Sequence, residues 1–456
     1  MFAGDDFKIS AKASSTLGKP ADSVRSDTAL GDDEVDGIEC FKFEGSAPPQ
    51  HRTAAFIAPA GMVGRIVQFK RRLKALTALR QHAELLRMLT NPRLRIDDSQ
   101  DPLDESNEAF KDLDLSKQNA LRDILATVPL FLLQGPPGVG KTYLVGEVVR
   151  RRFADEPTTR ILLSAQSNAA IDHLMSEVES ILSVGEADDR PLMVRARSAD
   201  DDESAGELEI DIQADRLLHT LAGSELVKQA SPHIRDRIIA LSQARAASGT
   251  RRRSALAGRR IAAELRAFEG MMLRAANLVF ATTNSAAVER LIEERGLFDW
   301  TIVEEAGKAT GGELLSPLLL SHRRLMIGDH KQLPPFDIEK VSKLLASTDR
   351  VMEAVSLVDD FVSRYLKDPS IDETFDEVEA RSDDFGETCS QTLAVLSLFE
   401  TFVERELLRQ KKGGKGKHIA RRLEEQYRMH PAIARIVSTC FYGNCSPYFG
   451  VMGAAN

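Results

Sequence analysis

One glycine-rich stretch, residues 134–142, limits this chain to a small group of folds. It reads Gln-Gly-Pro-Pro-Gly-Val-Gly-Lys-Thr and has the spacing G-x-x-x-x-G-K-[ST], in which glycines let backbone N–H groups approach phosphate oxygens without a Cβ in the way. An apolar run precedes it and apolar residues at helical spacing follow it, so strand, loop and helix come in the required order. The stretch predicts a loop that binds nucleotide phosphates; the simpler interpretation is a glycine-rich turn.

The residues of this loop have separate predicted roles. Lys141 is expected to reach the β- and γ-phosphates of ATP, and the Thr142 hydroxyl to be a ligand of Mg²⁺. The positive end of the following helix would face the anion. The predicted nucleotide contacts in the loop are Gly135, Pro136, Pro137, Gly138, Val139, Gly140, Lys141 and Thr142.

An acidic pair supplies what hydrolysis needs beyond a phosphate loop. Glu304 and Glu305 directly follow an apolar run, and we expect Glu304 to hold Mg²⁺ and Glu305 to act as the general base towards the γ-phosphate. Arg428 would add positive charge in the transition state, and Gln332 would couple the γ-phosphate to a nucleic-acid groove. The simpler interpretations are a solvent-facing acidic pair and an ordinary surface arginine.

Five apolar runs alternate with helical patterns and predict an α/β fold, a parallel sheet with helices on both faces. Each run ends in a polar cluster, at the strand end where open α/β sheets bind ligands. The runs are residues 129–133, 161–165, 278–281, 300–303 and 325–327.

Three segments lie outside this rhythm. Residues 1–60 are rich in Asp, Ser, Gly and Ala, which predicts an acidic, mobile segment. Residues 61–112 are predicted to be a helical stalk, because apolar residues from Arg65 to Asn91 recur every three or four positions. Residues 184–276 are predicted to be a largely helical insertion with arginines at 251–253 and 259–260. The basic residues of the last two segments are either solvated or contact nucleic acid.

Composition narrows the class of protein. The net charge of -9 argues against coating nucleic acid by an overall positive field, but it allows a local basic channel. The 4 cysteines are too scattered for a disulfide scaffold or a paired C-x-x-C zinc site. Without an apolar run of about 18 residues or a signal peptide, we predict no membrane span and an intracellular protein of the cytoplasm or nucleus.

Six motifs together resemble the superfamily 1 helicases, above all the subgroup that contains senataxin and the nonsense-mediated decay helicase. The motifs are Gln118 and residues 135–142, 167–170, 304–306, 328–335 and 426–431. The resemblance covers residues 113–445 and implies a 5′-to-3′ translocase on single-stranded DNA or RNA. It also implies that ATP and Mg²⁺ bind between two RecA-like lobes.

The resemblance assigns further roles. It implies that Gln118 recognises adenine, that Tyr427 stacks on the base and that Arg428 reaches the γ-phosphate. The residues implied to line the nucleic-acid track are Ser167, Asn168 and Thr283. Two positions depart from the family pattern, because Glu304 stands where Asp is usual and Lys308 where Gln is usual.

The resemblance also divides the chain. Residues 113–183 and 277–336 are predicted to be the two parts of a first RecA-like lobe, 337–420 a helical and loop connection, and 421–456 the start of an incomplete second lobe. We expect an ATP-dependent translocase or helicase. The alternative is a truncated module that binds ATP or nucleic acid with weak turnover and acts through a protein partner. A metabolic kinase is disfavoured, because nothing in that class needs the motifs of Gln332 and Arg428.

Overall fold

The structure, a computed structural model, describes residues 6–10, 26–35, 38–44, 56–59, 62–93, 96–98, 103–182, 191–196, 206–247, 259–354 and 385–442. The strands, in chain order, are β1 (Asp6–Ser10), β2 (Ser26–Val35), β3 (Ile38–Glu44), β4 (Phe56–Pro59), β5 (Asp97–Asp98), β6 (Thr127–Val128), β7 (Leu130–Gln134), β8 (Ile161–Ala165), β9 (Met193–Ala196), β10 (Leu278–Thr282), β11 (Phe298–Val303), β12 (Ser321–Gly328) and β13 (Ala420–Arg422). The helices are α1 (Met62–Arg80), α2 (Ala83–Thr90), α3 (Glu108–Lys111), α4 (Leu115–Ala126), α5 (Lys141–Asp155), α6 (Asn168–Leu182), α7 (Ile210–Gly223), α8 (Glu225–Gln229), α9 (Pro232–Ala247), α10 (Arg259–Ala275), α11 (Ala286–Glu293), α12 (Gly311–Leu318), α13 (Ile338–Leu345), α14 (Phe385–Leu396), α15 (Leu398–Lys411) and α16 (Pro431–Phe441).

The chain divides into two compact units. The first comprises Met1–Leu73 and Asp337–Ala394, and the second comprises Lys74–Phe336 and Val395–Asn456. The first unit contains an antiparallel sheet in the order β3-β2-β1-β4. This sheet was not predicted, because Asp and Gly, which are frequent in β2, are depleted in strands generally.

The second unit is built on a seven-stranded sheet in the order β13-β7-β12-β11-β8-β10-β9. Every pairing between neighbouring strands in it is parallel. The five apolar runs found in the sequence correspond to β7, β8, β10, β11 and β12. The predicted α/β fold with a RecA-like parallel sheet is therefore confirmed.

Helices cover both faces of this sheet, and β7 shows why. Successive side chains of a strand point to opposite faces. Phe131 and Leu133 are buried in the cluster that includes apolar residues of α4, α5 and α6. Leu130 and Leu132 are buried in the cluster that includes residues of α12 and α15. Because Leu130–Leu133 are apolar on both sides of the strand, β7 can satisfy both layers only between them, which fixes the position of the loop that follows it.

One sheet strand lies inside the range predicted as an insertion. β9 pairs in parallel with β10, so this part of residues 184–276 belongs to the main sheet. Arg195 interrupts its apolar pattern, and the buried guanidinium is held by Asp172 at 3.0 Å and Asn168 at 2.8 Å. The helices α7, α9 and α10 follow β9, whereas the arginines at 251–253 lie outside the described residues.

The single amphipathic helix predicted from Arg65 to Asn91 is instead two helices, α1 and α2. The chain leaves the helical path at Gln81 and His82, whose N–H groups bond to the carbonyls three residues back, of Ala78 at 3.0 Å and Leu79 at 2.8 Å. Such tight i→i−3 bonds commonly close the last turn of an α-helix. Within the described residues, no helix has both the length and the apolar character required to cross a membrane.

Candidate active site

The predicted functional segments meet at one edge of the sheet. In the strand register, Gly328 of β12 pairs with Gln134 of β7, and Val303 of β11 pairs with Ser164 of β8. The carboxyl ends of these strands therefore lie at the same level. The loop after β7, the acidic pair after β11 and the segment after β12 leave the sheet side by side, as expected for a ligand site in an open parallel sheet.

Two glycines give the loop after β7 its shape. Gly138 and Gly140 have φ of 78° and 77°, in the left-handed region that only glycine adopts at low cost. A Cβ on Gly138 would lie 2.6 Å from the Cβ of Arg428. Gly140 is the N-cap of α5, so the N-terminal end of that helix opens onto the loop. This is a backbone cradle for phosphate oxygens.

Lys141 lies across the cradle. Its Nζ donates to the carbonyl of Gly135 at 2.7 Å and to that of Pro136 at 3.2 Å. Burial lowers the pKa of Lys141, while the nearby carboxylates of Asp329 and Glu304 act in the opposite direction. An incoming phosphate would add negative charge beside the ammonium and stabilise its protonated form.

Thr142 and Glu304 are in direct contact. The hydroxyl of Thr142 donates to Oε1 of Glu304 at 2.6 Å, and Glu304 is only 5% exposed. Burial raises the pKa of Glu304, although the hydrogen bond from Thr142 and the charge of Lys141 partly offset the rise. A hydroxyl and a carboxylate are oxygen donors of the kind that Mg²⁺ prefers. Together with the glycine cradle, this pair fits a magnesium nucleotide.

Glu305 forms a separate ion pair. It has a φ of 54°, unusual for a residue other than glycine, and its carboxylate accepts a hydrogen bond from Lys308 Nζ at 2.7 Å. The two neighbouring carboxylates have different partners, Thr142 and Lys308. One acid is therefore buried at Thr142, while the other is half-exposed in an ion pair.

Asp329 organises the segment after β12, a role that was not predicted. Its Oδ2 accepts from Gln332 Nε2 at 2.9 Å and from the hydroxyl of Tyr442 at 2.5 Å. Burial and this bond raise the pKa of Tyr442. The neighbouring His330 instead contacts Glu404 at 2.7 Å, where Lys331 also binds. The one sequence signal for Asp329 was its position directly after a buried strand.

The motif of residues 426–431 contacts the phosphate loop. The N–H of Tyr427 donates to the carbonyl of Gly138 at 3.0 Å, and Gln426 is buried beside it. Arg428 is exposed, with its Cβ above Gly138. The structure thus brings Tyr427 and Arg428 to the loop from a segment almost 300 positions away in the chain.

Gln118 is not brought to this site. Its side-chain amide donates to the backbone carbonyl of Leu113 at 2.9 Å. Lys117, the preceding residue on α4, lies beside Tyr427 instead. Its Nζ is 4.3 Å from the centroid of the Tyr427 ring. One step along a helix rotates the side chain by about 100°, given 3.6 residues per turn, so adjacent positions face different surroundings. The sequence favoured Gln118 for its amide, and Lys117 was overlooked.

The three residues predicted to line a nucleic-acid track have different surroundings. Ser167 is exposed, and its hydroxyl accepts from the N–H of Ala170 at 3.2 Å at the start of α6. Asn168 is bonded to the buried Arg195. Thr283 is fully buried, and its hydroxyl lies within the protein. Only Ser167 therefore presents an exposed polar side chain in this arrangement.

A family model described as an AAA domain matches residues 112–340, which include the phosphate loop, the acidic pair and the segment after β12. This is just over half of the 456 residues, and the chain belongs to this family. The predicted likeness to superfamily 1 helicases of the nonsense-mediated decay type is confirmed by the relatives that the chain matches.

Three of these relatives are helicases or nucleic-acid-binding proteins by name. The chain is 29% identical over 243 residues to the ATP-dependent helicase NAM7 of Saccharomyces cerevisiae, covering 52% of this chain and 22% of that protein. It is 28% identical over 268 residues to the ATP-dependent helicase upf1 of Schizosaccharomyces pombe, covering 56% and 26%. It is 28% identical over 257 residues to the DNA-binding protein SMUBP-2 of Mus musculus, covering 54% and 24%. The match spans about a quarter of the length of each relative.

Proposed function

We propose that this chain hydrolyses ATP and couples the hydrolysis to movement along single-stranded nucleic acid, DNA or RNA. The observation that carries the proposal is the contact between Thr142 and Glu304 at 2.6 Å, beside a phosphate loop on which Tyr427 rests. A metabolic kinase has no need for the contact of Tyr427 with the phosphate loop. The names of the relatives, two ATP-dependent helicases and a DNA-binding protein, agree with it.

Each residue has a defined task in this proposal. The backbone of residues 135–140 and the ammonium of Lys141 hold the phosphates. Thr142 and Glu304 would hold Mg²⁺, which neutralises charge on the β- and γ-phosphate oxygens when bound. Glu305 accepts a proton from the attacking water, and Arg428 approaches the γ-phosphate from its position above Gly138. Gln332, anchored on Asp329, relays the state of the γ-phosphate towards the loop of Ser167.

A second candidate function is a module that binds ATP or nucleic acid with little turnover and acts through a partner protein. The contact that favours it is the ion pair of Glu305 with Lys308 at 2.7 Å. This ion pair would have to open before Glu305 could accept a proton from water, so a protein that keeps it closed would bind the nucleotide with little hydrolysis.

The rate of ATP hydrolysis by the 456-residue chain, with and without single-stranded DNA or RNA, tests the proposal. We expect single strands to stimulate hydrolysis and Lys141→Ala to lower the stimulated rate by at least about a hundredfold, as when one preorganised transition-state contact is removed. Lys228→Ala, which alters an exposed lysine of α8, is the matched control and should leave the rate unchanged. Tight binding of Mg-ATP with no hydrolysis under any condition would favour the second candidate.

A further inference from the structure

A buried ion pair lies where the base of the nucleotide would be. Lys117 and Asp114 form a salt bridge, and their side chains are only 6% and 4% exposed. Asp114 is the N-cap of α4, and its Oδ1 accepts the N–H of Lys117 at 2.9 Å. The pair is thus fixed by the helix start as well as by its charges.

Lys117 bridges the phosphate loop and the aromatic ring expected to stack on the base. A Cβ on Gly140 would lie 3.1 Å from Cε of Lys117, and the ammonium lies over the ring of Tyr427. The hydroxyl of Tyr427 donates to Oδ2 of Asp114 at 2.9 Å. The ammonium covers one face of the Tyr427 ring, so a base that stacks on this face would displace it to the edge of the base, beside the carboxylate of Asp114.

The chemistry of this pair differs from that of a glutamine. A side-chain amide both donates and accepts, and it matches the N6 donor and N7 acceptor of adenine. A lysine only donates, and it matches N7 and O6 of guanine, which are both acceptors. A carboxylate only accepts, and it can bind the amino group of either purine. The amide of Gln118, the residue expected to recognise adenine, is bonded to the carbonyl of Leu113.

We propose that Lys117 and Asp114 read the edge of the purine base and that this chain binds GTP about as well as ATP. The inference rests on the proposed function, which supplies the nucleotide and its stacking on Tyr427. Lys117 is the residue that determines base specificity, and Asp114 positions it. Exchange of the lysine for an amide should restore selection of adenine.

Calorimetric titration of the whole chain with Mg-ATP and Mg-GTP tests the inference. We expect dissociation constants for the two nucleotides within about fivefold of each other in the unmodified chain, because the amide of Gln118 is bonded to Leu113 and does not offer adenine a bidentate contact. Lys117→Gln should shift the ratio towards ATP on the order of tenfold, the effect of one bidentate base contact. Lys117→Arg keeps a cation and should keep the ratio. Gln118→Ala is the matched control on the same helix and should also leave it unchanged.

The unmodified chain provides a test that needs no folded variant. Replacing GTP by 7-deaza-GTP removes the N7 acceptor and should weaken binding several-fold, whereas equal binding of the two would overturn the inference. A preference for ATP above about thirtyfold in the unmodified chain, in the range of a bidentate adenine contact, would also overturn it. So would a folded Lys117→Gln protein with an unaltered ratio. Binding of neither nucleotide would overturn the proposed function and this inference together.

Discussion

The two ends of the candidate site are built in different ways. The phosphate end is one continuous segment of backbone, shaped by glycines and fixed at the carboxyl edge of the sheet. The end that we propose to hold the base consists of side chains from two distant segments, since Tyr427 and Asp114 are 313 positions apart. Backbone cradles require glycine and leave a signature in the sequence. A contact made by side chains depends on which helix position faces inward, and one step along α4 exchanges Gln118 for Lys117.

The largest effect that we expect at the phosphate end is on turnover alone. Glu305→Gln removes the proposed base but keeps the shape of the side chain, so the rate of hydrolysis should fall by about 10²–10⁴, the usual contribution of general base catalysis. The affinity for Mg-ATP should remain, because Thr142 and Glu304 are unaltered. Steady-state hydrolysis and calorimetric titration measure the two quantities.

Glu400→Gln, on the exposed surface of α15, is the control for Glu305→Gln and should alter neither quantity. An unchanged rate of hydrolysis in Glu305→Gln would remove this residue from the base role. A large loss of affinity would instead mean that Glu305, rather than Glu304, helps to hold the nucleotide.

Gly138 joins the two ends, because its carbonyl accepts the N–H of Tyr427. In Gly138→Ala, the left-handed φ of 78° and the 2.6 Å approach to Arg428 should displace residues 426–428. We expect the free energy of unfolding to fall by about 1–3 kcal/mol, the usual cost of such backbone strain, and ATP to bind more weakly. Urea unfolding and calorimetric titration measure these changes.

Gly223→Ala is the matched control for this substitution. Gly223 is at the end of α7, and a Cβ there meets nothing within 4 Å. The free energy of unfolding of Gly223→Ala should differ from that of the unmodified chain by no more than about 0.5 kcal/mol. Equal losses in the two variants would contradict the close approach of residues 426–428 to the loop.

The smallest expected effect is a gain in stability. Burial raises the pKa of Glu304, so the folded state binds the proton more tightly than the unfolded state, and stability falls as pH rises through the raised pKa. Glu304→Gln removes the buried charge and keeps an acceptor for Thr142. At pH 8 it should raise the free energy of unfolding on the order of 1 kcal/mol, while Mg²⁺-dependent hydrolysis is lost. Two results together would contradict this account. Glu304→Gln would lower the free energy of unfolding at pH 8, and the difference in this free energy between the variant and the unmodified chain would not depend on pH.

The sequence predicted the sheet well because its strands are buried on both faces. The apolar runs of β7, β8 and β10–β12 identified both the fold and the strand ends at which Thr142 and Glu304 meet. β9 was missed because Arg195 occupies its centre, and this charge is tolerated only through Asp172 and Asn168. Those partners come from another element, so no local pattern reveals them.

In the candidate site, as in the sheet, the sequence indicated the positions that local features fix and not those that depend on distant partners. Residues fixed by a strand end or by glycine, such as Gly138 and Glu304, lie where the sequence indicated. Thr283, the residue after β10, is fully buried, and its place on a nucleic-acid track stays a prediction. Asp329 was undervalued, since its partner Tyr442 lies 113 positions further along the chain.

The most direct test of a single site with two different ends compares ATP with inorganic triphosphate, which has no base. Calorimetric titration of Tyr427→Ala should show weaker binding of ATP and unchanged binding of triphosphate, because the tyrosine ring is proposed to stack on the base and alanine keeps the N–H that contacts Gly138. Lys141→Ala should weaken both ligands to a similar extent. Equal weakening of triphosphate and ATP by Tyr427→Ala, or unchanged binding of triphosphate by Lys141→Ala, would contradict the account.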